Sequence, residues 1–153
     1  MAEGDLQLAR HGAVLVVAIS APPSPAVVSQ VEAGFARLIG DHPEGGYIVV
    51  VRELPEGKVA RRPDHEVRAQ VMGLVRREGE RLRGLAYVLP RGGFASTVVR
   101  TVIDGMLRVA PFPARLFADA SDAVEWLRAK QGLEVGAGEI LATIHQLRAR
   151  LVA

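Results

Sequence analysis

The sequence lacks cysteine, long apolar runs and a strong net charge, and each absence excludes a class of protein. Without cysteine the chain has no disulfide scaffold, thiolate metal site or cysteine nucleophile, so redox chemistry by the protein itself is not expected. The apolar run from Ala13 to Ile19 is far too short to span a bilayer, and the first residues, Met1 to Asp5, are acidic. We therefore expect a cytoplasmic protein without a membrane span.

The charge pattern does not favour a nucleic-acid partner. Nineteen basic residues oppose seventeen acidic ones, which leaves a formal charge of +2. Arginines are frequent between residues 61 and 83, but Glu66, Glu78 and Glu80 are interleaved with them and no aromatic residues accompany them for base stacking. This pattern is typical of a solvated helix face.

Motifs for common catalytic chemistries are also missing. The chain has no Gly-x-Ser-x-Gly elbow, no Walker loop and no Gly-x-Gly-x-x-Gly. Its four histidines lie in different predicted elements without paired spacing. The densest titratable cluster is Asp64-His65-Glu66, where acidic residues at a helix start favour capping over catalysis. We expect no enzyme activity, metal or cofactor.

The residues that are present indicate a layered α/β domain. The chain has 153 residues, 49% of them hydrophobic, which is enough for one core. Gly46 to Glu53 is a β-branched run typical of a strand buried on both faces, and Leu54 to Pro63 reads as the exposed loop beyond its carboxyl end. In open α/β sheets, function usually lies beyond that end.

The other elements follow from periodicity and capping signals. Ser24 and Pro25 mark a helix start, and Gly40 and Gly132 mark helix ends. The predicted strands are 6–10, 13–20, 46–53, 84–89 and 115–118, and the predicted helices are 24–40, 64–81, 94–109, 121–132 and 139–152. Alternating strands and helices predict a mostly parallel sheet with right-handed crossovers, to which an N-terminal β-hairpin adds an antiparallel edge. We expect a domain over 1–131, a linker over 132–138 and an additional C-terminal helix over 139–153.

This order, together with the strand from Arg115 that runs into Ser121-Asp122-Ala123-Val124-Glu125-Trp126-Leu127, resembles the STAS superfamily. The similar branch is its bacterial, SpoIIAA-like (STAS/Sec14-like) subgroup, and the resemblance covers roughly residues 6 to 130. The Ala-x-x-Trp-Leu ending also suits any docking helix, so Trp126 is either core packing or a ligand-stacking residue.

The resemblance implies a regulatory, signalling protein–protein interaction module without catalysis. In the anti-sigma-factor antagonists of this superfamily, a serine or threonine after the central strand is phosphorylated and the added charge breaks partner binding. Here residues 53–66 contain no hydroxyl residue, so we expect a module without that switch. The same region supplies the candidate interaction loop, Lys58, Arg61, Arg62 and Asp64.

A second candidate site is the turn before the third predicted helix. Its glycines allow close backbone approach, the helix start offers free amides, and three side chains complete a cradle for a small anion. The residues are Arg91, Gly92, Gly93, Ser96 and Thr97. The alternative is a glycine turn in which Ser96 satisfies the first helical turn.

The C-terminal helix carries a narrow apolar stripe, Ile140, Ile144, Leu147 and Leu151. Fewer than three heptads do not form a stable isolated coiled coil, so the helix either folds back on its own domain or meets a partner. We expect a contact in a homodimer.

The leading functional expectation is thus an interaction module with another protein as partner. The alternative is a binder or carrier of a small anionic or lipid-like ligand, as in the Sec14-like relatives. A large apolar cavity between helices and sheet would favour the carrier, and a filled core with an exposed apolar patch would favour the interaction module.

Overall fold

The computed structural model describes residues 6–20, 24–53, 65–91 and 93–152, without the side chains of 93–96 and 152. It confirms the predicted fold class, a mixed five-stranded sheet in the order β1-β2-β3-β4-β5. The first pair of strands is antiparallel and the other three pairs are parallel. The strands are β1 (Leu6–His11), β2 (Val14–Ile19), β3 (Gly46–Arg52), β4 (Leu82–Val88) and β5 (Ala114–Phe117).

Helices cover both faces of this sheet. Because the parallel strands succeed one another in chain order, right-handed crossovers place the first three helices on one face, and the last two pack on the other. The helices of the described residues are α1 (Pro25–Asp41), α2 (His65–Glu78), α3 (Gly93–Arg108), α4 (Ala120–Gln131) and α5 (Ala137–Val152), with a 3-10 turn at Gly79–Arg81. None of them is long and apolar enough to cross a membrane.

Local capping explains where several helices begin and end. Ser24 accepts a hydrogen bond from the backbone N–H of Val27 at 3.3 Å, and Pro25 is the first helical residue, as predicted. Gly132 ends α4 in a left-handed conformation with φ of 75°, also as predicted. α4 begins at Ala120, one residue before the predicted start at 121, and Asp119 is its cap: the Asp119 carboxylate accepts a hydrogen bond from the Ser121 N–H at 2.6 Å.

Strand alternation divides the core into two layers. Val14 and Val16 of β2 join the layer that α4 and α5 cover. Leu15 and Val17 of the same strand join the layer that contains Phe35 of α1. Each layer is apolar because the parallel strands are buried on both faces.

Tyr47 ties β3 to the end of α4. Its ring is 1% exposed, and its hydroxyl donates to the backbone oxygen of Gln131 at 2.7 Å. The guanidinium of Arg83 lies over the ring, 5.1 Å from its centroid. Burial raises the pKa of the Tyr47 hydroxyl, and the positive charge of Arg83 partly opposes this shift.

The C-terminal helix is part of the core. Ile140, Ile144 and Leu147 are at most 2% exposed and pack with the sheet residues of the α4–α5 layer, and Leu151 lies partly buried against the same cluster. The helix begins at Ala137, two residues before the expected start.

Of the two alternatives for this helix, the structure shows the first: Ile140, Ile144 and Leu147 pack on the chain's own sheet, with Leu151 partly buried beside them. A homodimer stays a prediction, and the three buried side chains are already covered by their own chain. Two polar contacts flank the stripe, a side-chain hydrogen bond between His11 and Glu139 and an ion pair between Glu53 and Arg148, both with a nitrogen–oxygen distance of 2.7 Å.

Candidate ligand pocket

A partly open apolar cavity of about 220 Å³ lies between the sheet and helices α1, α2 and α3. Its floor is formed by β2, β3 and β4, where Val17, Val50 and Leu85 contribute side chains. Its walls are aliphatic residues of the three helices, among them Val71 of α2 and Ile103 of α3. The cavity is thus the space between helices and sheet that would distinguish a carrier from an interaction module.

The packing of the helices explains why space remains there. α2 packs mainly against α1 and the following 3-10 turn, whereas α3 packs against β5. Val67 is the buried residue of α2. The helices on this face therefore do not close over the middle of the sheet, and short valine side chains on the strands leave the gap unfilled.

Arg52 is the buried charge of this cavity. It is the last residue of β3, and alternation along the strand places it on the same face as Ile48 and Val50. The residue is 6% exposed. An arginine buried to this extent among aliphatic side chains is rare, because a charged group normally needs a partner when it leaves water.

The hydrogen bonds of Arg52 are incomplete within the described part of the chain. One terminal nitrogen, Nη1, donates to the Tyr87 hydroxyl over a long 3.4 Å, and the buried Nε has no partner among the described residues. Tyr87 lies on the neighbouring strand, β4, and also lines the cavity. The pair forms a polar end to an otherwise aliphatic space.

The charged residues of the described cavity lining all have one sign. The second charged lining residue is Arg68, an exposed side chain of α2. No aspartate, glutamate, histidine, serine or threonine is among the described lining residues. The described lining can therefore bind an apolar group and an anion, but it contains no candidate nucleophile or general base.

The predicted anion cradle lies elsewhere. Arg91 and Thr97 are exposed and do not line the cavity. Gly92 and the side chain of Ser96 lie outside the described residues, while Gly93 begins α3. The cradle stays a prediction.

Two further sequence predictions have different outcomes. The interaction loop, Lys58, Arg61, Arg62 and Asp64, lies outside the described residues. Trp126 is partly buried against the α4–α5 layer, with its ring 5.5 Å from that of Phe117, so its contacts are those of a packing residue.

Among the described residues, no three histidine, aspartate or glutamate side chains are grouped to hold a metal ion.

The sequence predicted Arg52 within the central strand but not that its side chain is buried in a cavity. The available signal was a charged residue at an inward-facing position, in phase with Ile48 and Val50. In a strand that is buried on both faces and serves only the core, an apolar residue normally occupies such a position.

Comparisons with known proteins give no independent assignment: no protein-family model matches the chain, and a search of curated proteins finds no match.

Proposed function

We propose that this chain binds a small, largely apolar molecule in the cavity beneath α1, α2 and α3, and that it acts as a carrier or sensor of that molecule without catalysis. The observation that carries the proposal is the cavity itself, about 220 Å³ in volume and walled by aliphatic side chains. An apolar cavity of roughly 150 Å³ in another protein holds benzene. This one is therefore large enough for a ligand of roughly six to ten non-hydrogen atoms.

The same observation favours the carrier over the interaction module. The large hydrophobic side chains exposed among the described residues are two, Met72 of α2 and Val109, the residue that follows α3. Single exposed apolar residues are normal on a protein surface, whereas docking surfaces present contiguous patches. Within the described part of the chain, the cavity lining instead provides a continuous aliphatic surface that a ligand can reach.

The STAS-like assignment is part of this proposal. The hairpin, the parallel strands and the order of crossover helices support it. A fold supports many functions, so the cavity, and not the resemblance, is the basis of the ligand-binding role.

The test uses a neutral probe and a pair of matched variants. 1-Hexanol is titrated into the protein and followed by methyl chemical shifts in NMR. In Val71→Phe the larger ring fills the cavity from α2, while in Met72→Phe the same substitution is made on the neighbouring residue, which does not line the cavity and is 48% exposed.

The wild-type protein is expected to bind 1-hexanol with shifts at Val17, Val50 and Ile103. Val71→Phe is expected to weaken binding by at least about tenfold, because its side chain occupies the ligand's volume, and Met72→Phe is expected to bind like the wild type. Absence of shifts at these methyls, or equal binding by the two variants, would refute the proposed function.

A further inference from the structure

The cavity has one feature that an apolar ligand alone leaves unused, the buried guanidinium of Arg52. This group has five N–H donors in a planar fork. Within the described residues it makes one long hydrogen bond, to Tyr87 at 3.4 Å, and its Nε is buried without a partner. A buried donor without an acceptor indicates that a further group belongs there.

The charges of the lining decide the sign of that group. Arg52 is 6% exposed, and the other charged residue of the described lining is also an arginine, Arg68. The acidic residue next to Arg52 in sequence, Glu53, instead pairs with Arg148 of α5 at 2.7 Å. The described lining thus holds uncompensated positive charge, which an anion complements.

We propose, on the basis of the ligand-binding role above, that the ligand is a short aliphatic carboxylate whose head group pairs with Arg52 and whose tail fills the aliphatic part of the cavity. A carboxylate matches the guanidinium fork with two parallel hydrogen bonds. The Tyr87 hydroxyl accepts from Arg52 and can donate its own proton to a carboxylate oxygen.

The charge of the site favours a carboxylate over a phosphate monoester. Arg52 is the one deeply buried cation of the described lining, and it balances a single negative charge. A phosphate carries more negative charge and three acceptor oxygens. Arg68 is an exposed residue of α2, so it does not add a second buried positive charge beside Arg52.

The direction of the tail follows from the strand register. Arg52 is the last residue of β3, and Val50 and Val17 face each other across β3 and β2. Both valines line the cavity, so an aliphatic chain that starts at Arg52 runs back over the strands. The cavity volume of about 220 Å³ suits a chain of roughly six carbons with its head group.

The experiment compares ligands of one tail length. Hexanoate, 1-hexanol and hexyl phosphate are titrated into the full chain by NMR at neutral pH and constant ionic strength. The variants are Arg52→Met, Arg52→Lys and a charge-matched control, Arg76→Met, which removes an exposed arginine of α2 that does not line the cavity.

The wild-type protein is expected to prefer hexanoate over 1-hexanol by on the order of 30-fold, as for hydrogen bonds to charged groups. Arg52→Met is expected to lose this preference but still to bind 1-hexanol. Binding of 1-hexanol would show that the variant is folded and that its cavity is intact. Arg52→Lys keeps part of the preference because it retains the charge without the fork, and Arg76→Met keeps all of it.

Four outcomes would overturn the inference. Equal affinity of the wild type for hexanoate and 1-hexanol, or a preference that survives in Arg52→Met, would remove Arg52 as the anion-binding residue and leave the apolar cavity as proposed. Tighter binding of hexyl phosphate than of hexanoate would replace the carboxylate by a phosphate. Absence of binding by all three probes would refute the proposed function itself.

Discussion

Arg52 and Glu53 are adjacent at the carboxyl end of β3 and point to opposite faces of the sheet. Arg52 lines the cavity beneath α1, α2 and α3, whereas the Oε1 atom of Glu53 lies 2.7 Å from Nε of Arg148 on α5. The Arg148 Nε atom makes no aligned hydrogen bond, so this contact is an ion pair. Alternation along the extended backbone thus separates opposite charges that are neighbours in sequence.

The first prediction concerns the stability cost of the buried charge. Arg52→Met is expected to leave the free energy of unfolding unchanged or to raise it by about 1 kcal/mol or more, because the substitution removes a poorly partnered cation from an apolar site. Urea denaturation measures the change. Exposed Arg76→Met serves as the control and is expected to stay within about 0.5 kcal/mol of the wild type.

A loss of more than about 1 kcal/mol in Arg52→Met would show that Arg52 stabilises the fold. An unchanged or raised stability together with a lost preference for hexanoate would mean that the buried charge is kept for binding.

The second prediction concerns the C-terminal helix. Ile144→Ala is expected to lower the free energy of unfolding by about 2–5 kcal/mol, since it leaves a cavity where a side chain is 2% exposed. Gln146→Ala, at an exposed position of the same helix, is expected to change it by less than about 0.5 kcal/mol.

Protein concentration distinguishes internal packing from a contact between two copies. The effect of Ile144→Ala is expected to be the same over a wide concentration range, because the side chain packs within its own chain. A loss of stability that varies with concentration would point to a dimer.

The third prediction concerns Tyr47 and alkaline pH. Tyr47→Phe removes the hydrogen bond to Gln131 and is expected to cost about 1–2 kcal/mol at neutral pH, because the carbonyl loses its buried donor. Thermal or urea unfolding measures the difference.

The raised pKa of Tyr47 gives this difference a pH dependence. Above the ordinary value of 10.0 the unfolded chain releases the phenolic proton before the folded chain does, so the folded state binds more protons and stability falls as pH rises through the folded pKa. The stability gap between wild type and Tyr47→Phe is therefore expected to narrow above pH 10. A constant gap would contradict the shift.

The fourth prediction concerns Asp41. Its carboxylate accepts a hydrogen bond from Arg10 at 2.6 Å, and this bond with the positive charge of Arg10 lowers the pKa of Asp41 below 3.8. The pair stabilises the folded state above that value, and its contribution is lost as pH falls through the folded pKa.

Carboxyl NMR shifts measure this pKa directly. Arg10→Met is expected to return the pKa of Asp41 towards 3.8, and added salt is expected to do so in part, because exposed charges are screened. An unchanged pKa in Arg10→Met would disprove the assignment to this pair.

Much of the fold follows from local signals. Ser24 with Pro25 and the left-handed Gly132 set helix boundaries, since capping depends on only a few neighbouring residues. The predicted start of α4, at residue 121, was one residue late, because Asp119 and Ser121 are both residue types that suit a cap and only the backbone conformation distinguishes them.

The cavity could not be predicted from the sequence in the same way. Glycines and hydroxyls near Arg91 form a recognisable local pattern, so the sequence predicts an anion site at that turn. A cavity has no such pattern, because its lining joins β2, β3 and β4 to three helices that are distant in sequence.

The sequence by itself determined the order of strands and helices and the face on which each strand residue lies, because residue spacing of two or of about three and a half fixes these locally. Only the tertiary structure decided that α5 covers its own sheet and that the helices leave a space beside Arg52. Both depend on how separate segments pack, since burial and the loss of a charge's partners arise only when distant parts of the chain meet.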